Sequence, residues 1–225
     1  MVVRVLCLGI LLAAALLANR AEAASFDCGK ASTAVEKTIC GDGRLSSLDD
    51  ELQKSYQAAL DTVKPSEKPH LIAEQRNWIK YVRNVCENVS CLGRVYGTRI
   101  ALLAQTKKYV VNDGKCTIPF GSSCRGVVYY RDPTERMDSF NKKLALHQRG
   151  TRIIGCDRLI DLPVGYANSN HSFGGYCTTL DGSSRSRVMI CDDEMIGHFA
   201  MQQVGEDEGD DKKLIDFTDQ NCFGG

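Results

Sequence analysis

The 225-residue chain lacks an excess of either charge: Lys plus Arg and Asp plus Glu both number 28. A near-neutral surface gives no broad electrostatic reason to coat nucleic acid or an anionic membrane. No two cysteines stand at CxxC spacing and no second histidine sits at ligand spacing, which argues against a zinc site. There is no GxSxG, hence no nucleophile elbow, and no glycine-rich phosphate loop. The acidic run at residues 206–211 lacks the spaced ligands of an EF-hand and reads as a solvated loop. No cofactor and no metal are therefore expected.

Long apolar runs are missing too, apart from one at the N-terminus. Residues 1–4 give a short basic start, residues 5–18 are almost wholly apolar, and Ala21-Glu22-Ala23 supplies a small-x-small cleavage pattern. The run is too short for a membrane span and reads as a secretory signal peptide over 1–23, cut after Ala23 or Ala24. A retained N-terminal anchor is the alternative. Cys7 lies too early, among the wrong neighbours, to be a lipoprotein cysteine. Cleavage would remove Cys7 from the 11 cysteines and leave an even ten, the signature of a disulfide framework in an exported chain. About two hundred mature residues with that many bridges suit two small cores better than one large one.

Residues 24–107 are patterned for helices. Thr33-Ala34-Val35-Glu36 is a capping box; Val35 and Ile39 share a face and Gly41 stops this short helix. Leu45, Leu48, Leu52, Tyr56, Leu60 and Val63 form the stripe of a longer helix ended by Pro65. A third helix is expected over about 70–86, with Leu71, Gln75, Trp78, Val82 and Cys86 in register. A fourth, capped by Ser90, carries Leu92, Val95, Tyr96, Ile100 and Leu103. Short connections imply antiparallel neighbours. Cys86 and Cys91 flank four residues at the third turn, and Cys28 and Cys40 bracket the short helix, so two local bridges are expected. A crossed Cys40–Cys86 pairing stays open.

The stretches SFDCGKASTAVEKTIC, RLSSLDDELQKSYQAAL, EQRNWIKYVRNVC and CLGRVYGTRIALL, spanning residues 25 to about 104, resemble the LprI-type lysozyme-inhibitor family. The resemblance rests on order, spacing, four cysteines and the Gln75-Arg76-x-Trp78 stretch. It implies a periplasmic or secreted bacterial helical domain and, for the family's named member, lysozyme as partner. It supplies no family-wide active site. From the residues alone, Trp78 is expected in the core and Arg76 paired with Asp49 or Glu51; the sharper reading puts Arg76 in a binding patch. The glycosylation sequons at Asn88 and Asn170 matter only in a eukaryotic secretory route, which this resemblance argues against.

From residue 108 glycine, serine and β-formers rise. Strands are expected over 126–130, 151–162, 176–180, 186–191 and 195–204, with a hairpin turn at Asp181-Gly182-Ser183-Ser184. A helix should run from Asp132-Pro133 to Gln148, with Phe140 and Leu144 on one face. Residues 214–221 close as a short helix or strand. The fold class is thus α+β: a disulfide-linked helical array, then a small disulfide-rich domain with an antiparallel sheet over 108–225, of no recognised family. Cys116–Cys124 is a plausible bridge; Cys156, Cys177, Cys191 and Cys222 have several possible pairings.

Chemistry is sparse. The cysteines are expected in bridges, which leaves no thiol nucleophile. Ser169, His171 and Ser172 lie in the stretch NSNHSFGG, expected as a loop, and Asp192, Asp193 and Glu194 precede His198. The reading preferred on the resemblance is a non-enzymatic exported binding protein that inhibits lysozyme. A rigid tip would enter the glycan cleft, where a glycosidase holds its two carboxylates. Arg44 in the GDGR turn and Lys64 and Lys68 in the second inter-helix loop are the candidate tips. One alternative is a cell-wall enzyme, with His171 or His198 meeting Asp192 or Asp193. The other is a structural or host-facing interaction module.

Overall fold

The computed structural model describes residues 24–105, 109–111, 118–120, 123–163, 171–195 and 197–222. The signal-peptide segment, Cys116 and Ser169 lie outside these residues, as does the side chain of Cys124.

The helical half begins with a 3-10 turn at Cys28–Lys30 and continues as α1 (Ala34–Gly41), α2 (Gly43–Thr62), α3 (Lys68–Tyr81) and α4 (Val89–Leu103). The capping box of α1 is formed on both sides, Glu36 N donating to Thr33 Oγ1 at 3.1 Å and Thr33 N to Glu36 Oε2 at 2.9 Å. Backbone donors of Thr33 and Ser32 hold the Glu36 carboxyl down to about 2. Asp42 ends α1 and caps α2 at once, its carboxylate accepting from Arg44 N and Leu45 N. The stripes close on Ile39, Leu45, Leu52, Leu71, Trp78, Val82, Leu92, Val95, Tyr96 and Leu103. Trp78 packs edge-on against Tyr96, ring centroids 5.2 Å apart, whose hydroxyl donates to buried Asp49 at 2.6 Å. Cys28–Cys40 pins α1 to the preceding turn, and Cys86–Cys91 closes the α3–α4 connection.

Two boundaries differ from the sequence reading. Helix α3 stops at Tyr81 rather than near Cys86, and a 3-10 turn at Arg83–Val85 follows. The cap of α4 is Asn88, whose Oδ1 accepts from Cys91 N at 2.8 Å; the Ser90 hydroxyl is turned away to Asp207 at 2.6 Å.

The other half is a six-stranded antiparallel sheet in the order β1-β4-β5-β6-β7-β8, with a separate β2–β3 hairpin. The strands are β1 (Tyr109–Val111), β2 (Ile118–Phe120), β3 (Ser123–Arg125), β4 (Val128–Tyr130), β5 (Thr151–Pro163), β6 (His171–Asp181), β7 (Ser184–Asp193) and β8 (Phe199–Gln203). Helices α5 (Met137–His147) and α6 (Asp211–Cys222) cover opposite faces. Period-two alternation sorts the core: Ile160, Leu162, Tyr176, Met189 and Cys191 meet Leu214, Ile215 and Phe217 of α6. Leu159, Phe173, Cys177, Val188 and Ile190 meet Met137, Phe140 and Leu144 of α5. The bridges follow this division, with Cys156–Cys177 joining β5 to β6 and Cys191–Cys222 tying β7 to the end of α6. The α+β class is observed, with the sheet more extensive than expected.

The differences here have local causes. The stretch from His171 onward is strand β6, not loop. Its consecutive glycines let a helix approach each face: a Cβ at Gly174 would overlap Thr218 Oγ1 of α6, and one at Gly175 would stand 3.2 Å from Phe140 of α5. Helix α5 starts at Met137 instead of Asp132, because the Asp132 carboxylate binds Thr134 N at 2.9 Å and Thr134 Oγ1 at 2.6 Å and holds a turn there. Among the described residues of 195–204 only 199–203 form strand; Asp193 N donates to His198 O at 2.9 Å, and Gly197 at φ 74° takes the left-handed turn. The hairpin between β6 and β7 turns on Gly182 at φ 56°. Residues 214–221 are helical, within α6.

Candidate functional site

The stretch Glu74 to Trp78 of α3 borders the seam between the halves. Glu74, 5% exposed, takes a two-pronged bond from Arg131, 6% exposed, at 2.7 and 3.1 Å. Gln75 accepts from Arg99 Nε at 2.9 Å, and Arg99 Nη1 donates to Arg131 O at 2.9 Å. Asn77 donates to Asp132 at 3.3 Å. Burial pulls the fully enclosed Arg99 guanidinium down to about 10, against the pull of Glu74 and Asp132. Trp78 is core. Arg76 is exposed, and Asp49 is bound by Tyr96 and by Ser25 instead. Four of these five positions thus hold the helical half together or dock it on the other half.

A second seam runs along the α3–α4 turn. Arg185 donates to Val85 O at 3.0 Å and pairs with Glu87 at 3.1 Å. Asn88 Nδ2 donates to Glu206 at 3.1 Å. Arg94 of α4 and Arg187 of β7 both bind Asp157. Burial pushes the Asp157 carboxyl up, but the two guanidiniums outweigh it and hold it below the usual carboxylate range. A carboxylate depressed in the fold contributes stability above its unfolded value, near 3.9, and loses it as pH falls through the folded value. Asp157→Asn should therefore flatten the acid side of the stability profile, read by urea unfolding between pH 6 and pH 2. A variant with the wild-type slope would contradict this pairing.

The proposed tips stand apart from both seams. Lys64 is exposed, Lys68 is half-buried, and the turn between α2 and α3 also exposes Pro65, Ser66 and Glu67. Glu67 N donates to Lys64 O at 2.9 Å, and proline occupies the start of α3; both stiffen the turn. Arg44 is exposed as a residue, but its guanidinium would meet a Cβ on Gly93 of α4 at 3.3 Å, so it lies across that helix.

In the sheet half the structure joins His171 to neither Asp192 nor Asp193. Its Nδ1 lies 2.7 Å from Asp161 Oδ2, the carboxylate being 2% exposed. Burial raises the Asp161 carboxyl, against the opposing pull of His171. Asp192 is taken by Lys143 at 2.7 Å and by Ser139 at 3.2 Å, and Asp193 Oδ1 by Met195 N at 2.9 Å. His198 is exposed. Asp161 is legible as unusual in the sequence only in that it interrupts the apolar run of Leu159, Ile160 and Leu162. Ser172 is buried with its hydroxyl on Cys222 O at 3.0 Å. Among the described residues no group of three His, Cys, Asp or Glu side chains is placed to hold a metal ion, and no helix is long and apolar enough to cross a membrane.

Comparison with known proteins bears on the helical half. Proteins named lipoprotein LprI from Mycobacterium bovis and from Mycobacterium tuberculosis are each 31% identical over 115 residues, covering 49% of this chain and 50% of theirs. The chain thus spans about half the length of the curated relatives it matches. No solved structure matches. Residues 27–108, which hold α1 to α4, match the family described as lysozyme inhibitor LprI.

Proposed function

We propose that the chain is an exported binding protein that inhibits lysozyme through its helical half, with residues 1–23 as a cleaved signal peptide and the periplasm or exterior as its place of action. The family match over residues 27–108 carries this reading. The four bridges among the described residues agree with it, since disulfides persist in oxidising compartments. The inhibitory element is the α2–α3 turn, with Lys64 and Lys68 directed at the acidic glycan cleft. A 20-residue α2 places that turn about 30 Å from the α1–α2 turn that carries Arg44. Its prolines and the bonded backbone reduce the entropy lost on docking. The domain division at about residue 107 belongs to the same proposal.

The test is lysozyme activity against purified oxidised protein. Inhibition at modest molar excess is expected, and Lys64→Glu with Lys68→Glu should weaken it about tenfold, mainly through slower association. Undiminished lysozyme activity at large excess would remove the proposal; undiminished inhibition by the double variant would clear the turn. The enzymatic reading keeps one observation, the His171–Asp161 pair, in which a buried carboxylate orients an imidazole.

A further inference from the structure

The Cys86–Cys91 bridge differs from the others in its surroundings. Cys156, Cys177, Cys191 and Cys222 are at most 2% exposed, inside the sheet's two cores. Cys91 is half-buried and lines a small cleft of about 50 Å³ between the halves, together with Arg94, Arg185, Arg187 and Glu206. It is the third residue of the 15-residue α4, where unpaired backbone donors and the helix dipole favour negative charge. Arg94 Nη2 donates to Cys91 Sγ at 3.7 Å. Arg187 grips the same Asp157 carboxylate at 2.9 and 3.0 Å, so Arg94 shares its acid with a second guanidinium. The acids on the cleft are Glu87, paired with Arg185, and the exposed Glu206, which accepts from Asn88; the neighbouring Asp207 accepts from Ser90.

We propose that Cys86–Cys91 is a reactive disulfide that exchanges with external dithiols through Cys91. A dithiol's thiolate attacks Cys91 Sγ, the bond to Cys86 breaks, and Cys86 leaves as a thiolate that takes up a proton. The dithiol's second thiolate then attacks its own sulfur in the mixed disulfide. That forms the dithiol's internal disulfide and releases Cys91 as a thiolate held by Arg94 and the α4 N-terminus. The bridge gains two electrons and the dithiol loses two. An accessible sulfur beside a cation at a helix start is the environment that lowers thiol pKa and makes a disulfide easier to reduce. Both cysteines of Cys28–Cys40 are half-buried, whereas Cys86 is 5% exposed and only Cys91 is half-buried, so exposure alone would open Cys28–Cys40 first and makes it the comparison. The reactive bridge closes the turn whose Glu87, Asn88 and Ser90 are gripped by the sheet half, so exchange there acts on the seam. This inference does not depend on lysozyme binding.

The experiment titrates the oxidised full chain with dithiothreitol, traps free thiols by alkylation and maps them by peptide mass spectrometry. Cys86 and Cys91 should appear at the lowest doses, before Cys28–Cys40 and before both sheet bridges. In the selectively reduced protein, the pH midpoint of Cys91 alkylation should lie about one unit below the ordinary thiol value near 8.5. Arg94→Gln should raise that midpoint by about one unit, and Arg94→Lys should largely keep it low. Opening together with or after Cys28–Cys40 overturns the proposal, as does an ordinary midpoint for Cys91 in the wild-type chain. Should Arg94→Gln fail to fold, the wild-type midpoint decides.

Discussion

Glu74→Ala should destabilise the protein by about 3–5 kcal/mol, the range for stripping one partner from a buried ion pair. The variant leaves Arg131 at 6% exposure and Arg99 at 0%, with Asp132 as the buried carboxylate beside them. Both guanidiniums are buried, and Arg99 also holds Arg131 O and Gln75, so neither turns out to water without breaking further bonds. The cost comes from the uncompensated charge and not from the worth of the pair. Glu74→Met combined with Arg131→Met should therefore recover much of the loss, because two apolar side chains of similar length remove both desolvation costs. Urea unfolding of the wild type, each single variant and the double variant closes the cycle. A Glu74→Ala variant within about 1 kcal/mol of wild type would mean that water already reaches this seam.

Gly155→Ala is the second large effect. A Cβ there would lie far inside contact distance of the Tyr81 carbonyl oxygen and 2.9 Å from Val85 Cγ2. Tyr81 ends α3 and Gly155 lies in a bulged part of β5, so helix end and strand meet backbone to backbone. Relief requires moving one half against the other, across the two seams that Arg131 and Arg185 fasten. A loss of about 3 kcal/mol or more is expected, at the upper end for overpacked sites, measured by thermal or urea unfolding. Gly174→Ala makes a matched comparison inside the sheet half, since there the clash is with a side chain, Thr218. Adding Thr218→Ala should restore part of the Gly174→Ala loss, while no comparable side-chain change rescues Gly155→Ala. Near-wild-type stability of Gly155→Ala would contradict the close packing of α3 on β5.

Legibility follows the range of the interactions. The α1 capping box, the stripe of α2 and the placement of Trp78 depend on residues within a few positions of each other, and periodicity exposes them. The start of α5 differs from its sequence expectation because Asp132-Pro133 carries a helix-start pattern, yet Asp132 also belongs to a turn buried against α3. The stretch NSNHSFGG reads as a loop because glycine is a turn residue; Gly174 and Gly175 are there to admit two helices, which no local pattern reveals. The Asp161 partner of His171 lies on the neighbouring strand, and only the β5–β6 register brings the two together.

The amino-acid sequence alone determined the helical half, the capping box of α1, the α+β class and the resemblance confined to the first half, because each rests on local spacing that the backbone converts directly into structure. The tertiary structure decided which sheet cysteines pair, which carboxylate holds His171, and that Glu74, Gln75 and Asn77 face the seam between halves. Those outcomes depend on strand register and on surfaces meeting across long stretches of chain. A one-residue slip in pairing sends every side chain to the opposite face, and nothing in the local pattern of one strand specifies its partner's register.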